Sequence, residues 1–214
     1  MALRVLVACE ESQTVCKAFR ALGHEAYSCD ILDCSGGHPE WHFKQDVLPL
    51  LKEPWDLIIA HPPCTYLTVT GNRWFNVERY GDAAIKRAAD REEATRFFME
   101  FTKTNCKHVA IENPIGVMST RYRKPDQTIQ PYWFGDPQRK GTCLWLIGLP
   151  PLKPTNMVEP EIYVYKNGKG TDSPWHVNSM KLPPPERARV RSKTFQGIAD
   201  AMASQWSEYL LNNS

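Results

Sequence analysis

The stretch Asp56-Leu57-Ile58-Ile59-Ala60-His61-Pro62-Pro63-Cys64-Thr65-Tyr66-Leu67 decides the fold. It begins with the apolar run Leu57 to Ala60, which is typical of a buried strand in a parallel sheet. Prolines cannot continue a hydrogen-bonded ladder, so we expect this strand to stop near His61. Cys64 then lies at the carboxyl end of a strand, the edge at which open α/β sheets bind ligands. The spacing alone is equally compatible with a buried structural cysteine after a proline turn.

The length and composition of the chain are those of an ordinary globular protein. Its 214 residues, 42% of them hydrophobic and 23% charged, suffice for one domain with or without a small appendage. The net charge of +2 is nearly neutral, so any surface for a polyanion must be local. The seven cysteines form no C-x-x-C pair, which favours reduced thiols and a cytoplasmic location. We expect no metal site from the Cys and His spacing, and no apolar run approaches the ~20 residues of a membrane span.

The chain opens with a predicted β-α-β unit. A strand over Leu3 to Cys9 precedes a helix over Val15 to Leu22, which Gly23 is expected to end. A second strand over Glu25 to Cys29 leads to Asp30, where an acidic residue commonly binds ribose hydroxyls. The first turn lacks G-x-G-x-x-G, which argues against a pyrophosphate cofactor and leaves room for a phosphate-free nucleoside.

A second buried strand offers a carboxylate at the same edge. The apolar run His108 to Ile111 ends in Glu112-Asn113-Pro114 and so repeats the strand-then-proline arrangement. We therefore expect Cys64 and Glu112 at one edge of the sheet. From the spacing alone, Glu112 is also compatible with a capping or salt-bridged carboxylate.

The other predicted elements are less regular. They are a short strand over His42 to Val47, a long loop over Thr68 to Tyr80, a helix over Ala83 to Thr104, a loop over Gln130 to Lys140, a strand over Thr142 to Ile147, a hairpin around Glu161 to Tyr165 and a final helix over Phe195 to Leu211. The residues expected on the buried side of the long helix are Ile85, Ala89, Phe97, Phe98 and Phe101. Lys181 to Lys193 is predicted to be a loop with five basic residues and one acidic residue.

Five segments, taken in order, resemble the motifs of DNA cytosine-C5 methyltransferases, and most closely the compact phage and prophage proteins of that family. They are VACEESQTVCKAFRALGHEAYSCDI, WDLIIAHPPCTYLT, AIENPIG, FGDPQRKGTCLWLIGLPPL and SKTFQGIADAMASQW. The resemblance implies an α/β fold, a Rossmann-like S-adenosylmethionine-dependent methyltransferase sheet with flanking helices and a small irregular C-terminal recognition segment. It assigns residues 1–149 and 194–214 to the catalytic domain and 150–193 to a short proline-rich, basic DNA-contact segment, whose size predicts short or relaxed sequence recognition.

The resemblance also implies a chemistry for the two strand ends. Cys64 would add to C6 of a cytosine flipped out of double-stranded DNA, which makes C5 nucleophilic toward a methyl group. Glu112 would protonate ring N3 or donate a hydrogen bond to it, because a partly buried carboxyl can hold a proton near pH 7. Lys140 or Arg139 would contact the cytosine O2 or a phosphate, and the sequence does not choose between them. Such a protein would act in the cytoplasm of a bacterial host, encoded by a phage or prophage.

The cofactor and DNA contacts follow from the same resemblance. Asp30 would bind the ribose of S-adenosylmethionine, and Asp46 with Val47 its adenine. The full set of implied cofactor contacts is Glu10, Glu11, Ser12, Asp30, Ile31, Asp46, Val47, His61, Pro62 and Gly197. The implied DNA contacts are Arg73, Trp74, Arg187, Arg189 and Arg191. The family's first turn is glycine-rich, whereas this chain has Cys9-Glu10-Glu11-Ser12-Gln13.

Several alternatives stay open at this stage. His61-Pro62-Pro63-Cys64 also resembles the D/N-P-P-aromatic motif of amino-group DNA methyltransferases. A catalytically silent DNA- or partner-binding module would keep the same fold. A single-stranded or free-nucleotide substrate, or a different methyl donor, would keep the same chemistry. His61 either helps to ionise Cys64 or shapes the wall of the pocket, and the oligomeric state is not predicted.

Overall fold

A computed structural model describes residues 1–213, and its main body is a seven-stranded sheet. The strands of this sheet are β1 (Arg4–Ala8), β2 (Glu25–Asp30), β3 (His42–Lys44), β4 (Leu57–Ala60), β5 (Val109–Pro114), β6 (Gln127–Ile129) and β7 (Thr142–Ile147). Their order across the sheet is β3-β2-β1-β4-β5-β7-β6. The first five run parallel to one another, and β7 runs antiparallel to both of its neighbours.

Helices cover both faces of this sheet. They are α1 (Thr14–Ala21), α2 (Val77–Tyr80), α3 (Asp82–Glu100), α4 (Met118–Arg121), α5 (Pro174–Ser179), α6 (Pro184–Ser192) and α7 (Gln196–Asn212). A further two-stranded sheet pairs β8 (Tyr163–Val164) with β9 (Thr171–Asp172). None of the helices in residues 1–213 is both long and apolar enough to span a lipid bilayer.

Alternate residues of the central strands enter two separate cores. Val5 and Val7 of β1 pack with Phe19 of α1 and Trp206 of α7, whereas Leu6 packs with the cluster on the opposite face. Burial on both faces explains why the central strands read as continuous apolar runs. The predicted α/β class, a mostly parallel sheet with flanking helices, is confirmed.

The long helix α3 is only half buried. Phe98 lies in the core, and so does Phe101 just beyond the helix, but Ile85 and Ala89 are exposed, so their predicted burial was wrong. The reason is geometric, because the first half of α3 packs against α2 and the 3-10 segment Val69–Phe75 instead of the sheet. Ile85 and Ala89 therefore stay exposed, although Ala84 of the same half is buried.

Two predicted loops contain regular structure. Thr68 to Tyr80 holds the 3-10 segment Val69–Phe75 and helix α2, and Lys181 to Lys193 holds helix α6. The prolines before α6 indicated a loop, but proline is well suited to the first turn of a helix, where its missing N–H has no partner to lose. Residues 150–193 are therefore less irregular than predicted. Strand β6 was not predicted, and β3 is shorter than expected.

Candidate active site

Cys64 lies in a tight turn at the carboxyl end of β4. The last ladder bond of this strand runs from the backbone N–H of His61 to the carbonyl of Ala8, at 2.9 Å. The Cys64 carbonyl then accepts from the backbone N–H groups of Leu67 and Thr68, at 3.0 and 3.1 Å. The two prolines end the ladder, as expected, and the partly exposed thiol is left at the edge of the sheet.

Hydrogen bonds connect the end of β5 to this turn. Pairing of Ala60 with Ile111 brings Glu112 alongside the start of the turn. The side-chain amide of Asn113 donates to the Pro62 carbonyl at 2.7 Å, and His61 Nδ1 lies 3.2 Å from Glu112 Oε2. The structure thus brings Glu112 and the His61-Pro62-Pro63-Cys64 turn together.

Asn113 and Gly116 are site residues to which sequence reasoning gave no role. A Cβ atom on Gly116 would overlap the Leu67 carbonyl, because the segment after Cys64 crosses the segment after β5 at this point. The Val117 N–H donates to the same Leu67 carbonyl at 2.8 Å. Both residues fall within the quoted AIENPIG segment, so a signal was present, but their partners are far away in the sequence.

Cys64 rests in its thiol form. Burial raises the pKa of Cys64, and the negative charge of Glu112 raises it further. The positive charges of Lys140 and Arg191 act in the opposite direction and lower the pKa. Ionisation of the Cys64 thiol therefore depends on burial, on the charge of Glu112 and on nearby cations.

Glu112 is ionised in the free protein. Burial by itself raises the pKa of Glu112, but the hydrogen bond from His61 and the charge of Lys140 outweigh it and hold the pKa below its usual value. The expectation that Glu112 holds a proton near pH 7 is therefore wrong for the free protein. The physical reason is the polar contact with His61, which burial arguments from sequence do not include.

The structure separates the two basic candidates. Lys140 Nζ donates to the Arg191 carbonyl at 3.1 Å and influences the pKa of both Cys64 and Glu112. Arg139 instead reaches away, with Nη2 3.1 Å from Thr171 Oγ1 on β9. Lys140, and not Arg139, therefore lies near the residues at the ends of β4 and β5.

The turn after β1 is closed by a carboxylate. Glu10 accepts hydrogen bonds from the backbone N–H groups of Val15 and Cys16, at 2.7 and 3.2 Å, and so caps α1. Burial raises the pKa of Glu10, while the charge of His61 and these backbone donors lower it. The helix N-terminus that binds phosphate in nucleotide-binding folds is therefore already occupied by a side chain.

Two non-glycine residues take the backbone conformation that a glycine-rich turn would provide. Cys9 and Gln13 have φ of 59° and 57°, in the left-handed region. Gln13 is fully buried, and its side-chain amide donates to the His38 carbonyl at 2.8 Å while its oxygen accepts from the His38 N–H at 3.1 Å. These contacts hold a conformation that costs such a residue ~1–2 kcal/mol.

The acidic residues at the ends of β2 and β3 are suited to a nucleoside. Asp30 Oδ1 accepts from the Leu32 N–H at 2.9 Å, and Asp46 Oδ1 accepts from the Leu48 N–H at 3.0 Å. One oxygen of each carboxylate thus stays available for a ligand. Ile31 is 74% exposed beside Asp30 and offers an apolar surface for a base. Within residues 1–213, Glu11 Oε1 is buried without a hydrogen-bond partner.

The remaining predicted cofactor contacts are mainly structural in the free protein. Ser12, Val47 and Pro62 are buried. Gly197 packs against the Phe134 carbonyl, and its N–H donates to Asp136 Oδ2 at 3.2 Å. Their predicted contacts to a cofactor stay predictions.

The predicted DNA contacts lie on two surfaces. The Arg73 guanidinium lies 4.7 Å from the centre of the half-exposed Trp74 ring, in the segment after Cys64. The other three, Arg187, Arg189 and Arg191, belong to α6. No group of three or more His, Cys, Asp or Glu side chains within the described chain is arranged to hold a metal ion, and the cysteines are free thiols.

Comparisons with known proteins show a likeness to solved structures but none to a family model or a curated sequence. No protein-family model matches the chain, and no curated protein matches its sequence. Among solved structures, the chain is similar to an E. coli protein described as a DNA modification methyltransferase encoded within a prophage, with 17% identity and a TM-score of 0.42. The match covers 68% of this chain and 46% of that one, so the chain spans about half the length of that structure.

Proposed function

We propose that the protein is a DNA cytosine-C5 methyltransferase that uses S-adenosylmethionine and attacks its base through Cys64. One observation carries the proposal: Glu112 and Lys140 lie close enough to Cys64, at the carboxyl edge of β4 and β5, for their opposite charges to act on the pKa of its thiol. A nucleophile, an acid-base group and a cation at one strand edge suit addition to an aromatic ring that must accumulate negative charge.

Residues of the first three strand ends would hold the cofactor. Asp30 would accept hydrogen bonds from ribose hydroxyls, and Ile31 and Asp46 would contact the adenine. When bound, S-adenosylmethionine supplies an electrophilic methyl group. The carboxylate of Glu10 on the α1 N-terminus favours this choice over a dinucleotide, because it leaves no free helix terminus for phosphate.

The chain's own residues would carry the chemistry at the base. The Cys64 thiol loses its proton to water, its sulfur forms a bond to C6, and the electron pair of the C5–C6 double bond moves into the ring toward N3 and O2. Glu112 protonates N3 or donates a hydrogen bond to it, and the positive charge of Lys140 stabilises the negative charge that develops on the ring. After C5 has taken up the methyl group, the C5 proton leaves to water, the S–C6 bond breaks and the aromatic ring is restored.

The substrate would be double-stranded DNA with the target cytosine flipped out, since C6 is inaccessible to a side chain within the stack. The arginines of α6, of which Arg189 is exposed, would contact the backbone, and the Arg73–Trp74 pair would stack on bases. Residues 150–193 would form the recognition segment and the rest the catalytic domain. Such a protein would act in the cytoplasm of a bacterial host.

The amino-group alternative is disfavoured by one contact. In that chemistry the carbonyl between the two prolines would hold an exocyclic amine of the base. Here the Pro62 carbonyl already accepts from the Asn113 amide at 2.7 Å. A base amine would have to displace or share that bond.

The proposal is tested by the position of the transferred methyl group. DNA is incubated with isotopically labelled S-adenosylmethionine, digested to nucleosides and analysed by mass spectrometry. We expect labelled 5-methylcytosine from the native protein and from Cys106→Ala, a thiol at the opposite end of the sheet, but none from Cys64→Ala. Labelled N4-methylcytosine or N6-methyladenine would overturn the proposal, and so would the absence of any transfer.

A further inference from the structure

His61 occupies a buried position between the nucleophile turn and the end of β5. Only 8% of its side chain is exposed, against 15% for Glu112, and its backbone N–H is held by the Ala8 carbonyl. Nδ1 lies 3.2 Å from Glu112 Oε2. The imidazole is therefore fixed by the sheet and directed at the carboxylate by a hydrogen bond.

Titratable groups from four segments of the chain lie near His61 or Glu112. Glu112 comes from β5, Glu10 from the turn after β1, Lys140 from the segment before β7 and Cys64 from the adjoining turn. The other ring nitrogen, Nε2, is buried without a hydrogen-bond partner in the part of the chain that the structure describes. A buried polar atom of this kind is rare in folded proteins and calls for a functional explanation.

We propose that His61 is a positioning residue that orients Glu112 and stores the proton that Glu112 passes to N3 of the target cytosine. This inference rests on the function proposed above. The proposed role of His61 is therefore neither to help to ionise Cys64 nor only to shape the wall of the pocket. The proposal rests on the buried contact between His61 Nδ1 and Glu112 Oε2, and on His61 Nε2, which has no hydrogen-bond partner among the described residues.

The proposed step balances in protons and charge. Because Glu112 is ionised in the free protein, it has no proton of its own to give, and in the proposed step the proton comes from His61 Nδ1, which lies 3.2 Å from Glu112 Oε2. As the S–C6 bond forms, the electron pair displaced toward N3 takes this proton through the Glu112 carboxyl, and His61 becomes neutral. When the S–C6 bond breaks, the N3 proton returns along the same path.

The first test reads the charge of Glu112 and does not require activity. Carboxyl ¹³C NMR, with the Glu112 signal assigned by its loss in Glu112→Gln, follows the titration of this carboxyl. We expect the pKa of Glu112 to rise in His61→Leu and to stay as in the native protein in His108→Leu, a matched change at the opposite end of the sheet. An unchanged Glu112 titration in His61→Leu would overturn the inference.

The second test separates proton storage from hydrogen bonding. His61→Asn keeps an amide that can donate to Glu112 but has no proton to release. We expect both His61→Leu and His61→Asn to slow covalent addition to cytosine by about 100-fold, a typical loss for one acid-base group, with unchanged affinity for S-adenosylmethionine. Native rates in His61→Asn would contradict proton storage.

The two tests also separate this inference from the proposed function. If the native protein transfers no methyl group, the proposed function fails, and proton delivery to a base fails with it. If the native protein is active and His61→Leu matches it, only the inference fails.

Discussion

At the scale of single residues, the reactivity of Cys64 is set by two neighbours of opposite charge. Burial and the Glu112 carboxylate raise the pKa of Cys64, whereas Lys140 lowers it. A raised pKa means that little thiolate is present at neutral pH and that the thiolate fraction grows as the pH rises. At neutral pH the free protein thus keeps Cys64 mostly in its thiol form.

This balance predicts opposite effects of two substitutions. Glu112→Gln removes the negative charge, so the pKa of Cys64 falls and its alkylation by iodoacetamide at neutral pH becomes faster. Lys140→Met removes the positive charge, so alkylation becomes slower and needs a higher pH. The rate is followed on the Cys64 peptide by mass spectrometry, with the Cys106 peptide of the same sample as control. Equal rates in both variants would contradict the charge balance.

At the scale of elements, helix α1 depends on a carboxylate that precedes it by several residues. Glu10→Ala leaves the Val15 and Cys16 N–H groups without their acceptor. We expect the free energy of unfolding to fall by about 1–2 kcal/mol, a usual loss for a helix cap. Chemical denaturation measures it, and Glu208→Ala on the exposed side of α7 should change it by less than ~0.5 kcal/mol.

The crossing between the segment after Cys64 and the segment after β5 needs a glycine. In Gly116→Ala the new Cβ meets the Leu67 backbone carbonyl, which cannot rotate away as a side chain could. We expect a loss of ~1–3 kcal/mol in stability, as for other overpacked sites, and a lower rate of methyl transfer because Cys64 moves relative to Glu112. A native rate and a native melting temperature would show that this crossing is not constrained.

At the scale of the whole molecule, the chain is nearly neutral, and its proposed DNA surface is concentrated on α6. Arg189 is exposed there, so a phosphate contact is expected to depend on charge and not on base sequence. Arg189→Ala should weaken binding uniformly across DNA sequences and reduce the slope of log K against log salt by about 1. Lys103→Ala, beyond the end of α3, should leave both unchanged, and a sequence-dependent loss in Arg189→Ala would contradict a phosphate contact.

The sequence predicted the central sheet well, because burial on both faces forces apolar runs such as Leu57 to Ala60 and the prolines fix where a run stops. It could not predict contacts between residues far apart in the chain. Nothing near His61 indicates that it meets Glu112, and nothing near Asn113 indicates that it holds Pro62. The predicted burial of Ile85 was wrong because the packing partner of that half of α3 is not the sheet, whereas the predicted loop at α6 was wrong because prolines also suit the first turn of a helix.

The central claim is a covalent bond between Cys64 and cytosine C6, and one measurement tests it most directly. The protein is incubated with S-adenosylmethionine and DNA that carries 5-fluorocytosine, and the products are analysed by intact mass. Fluorine cannot leave C5 as a proton does, so the bond to the enzyme persists. We predict a stable adduct of protein and methylated DNA that maps to Cys64 and is absent in Cys64→Ala. No adduct with the native protein, or one that survives Cys64→Ala, would contradict the account.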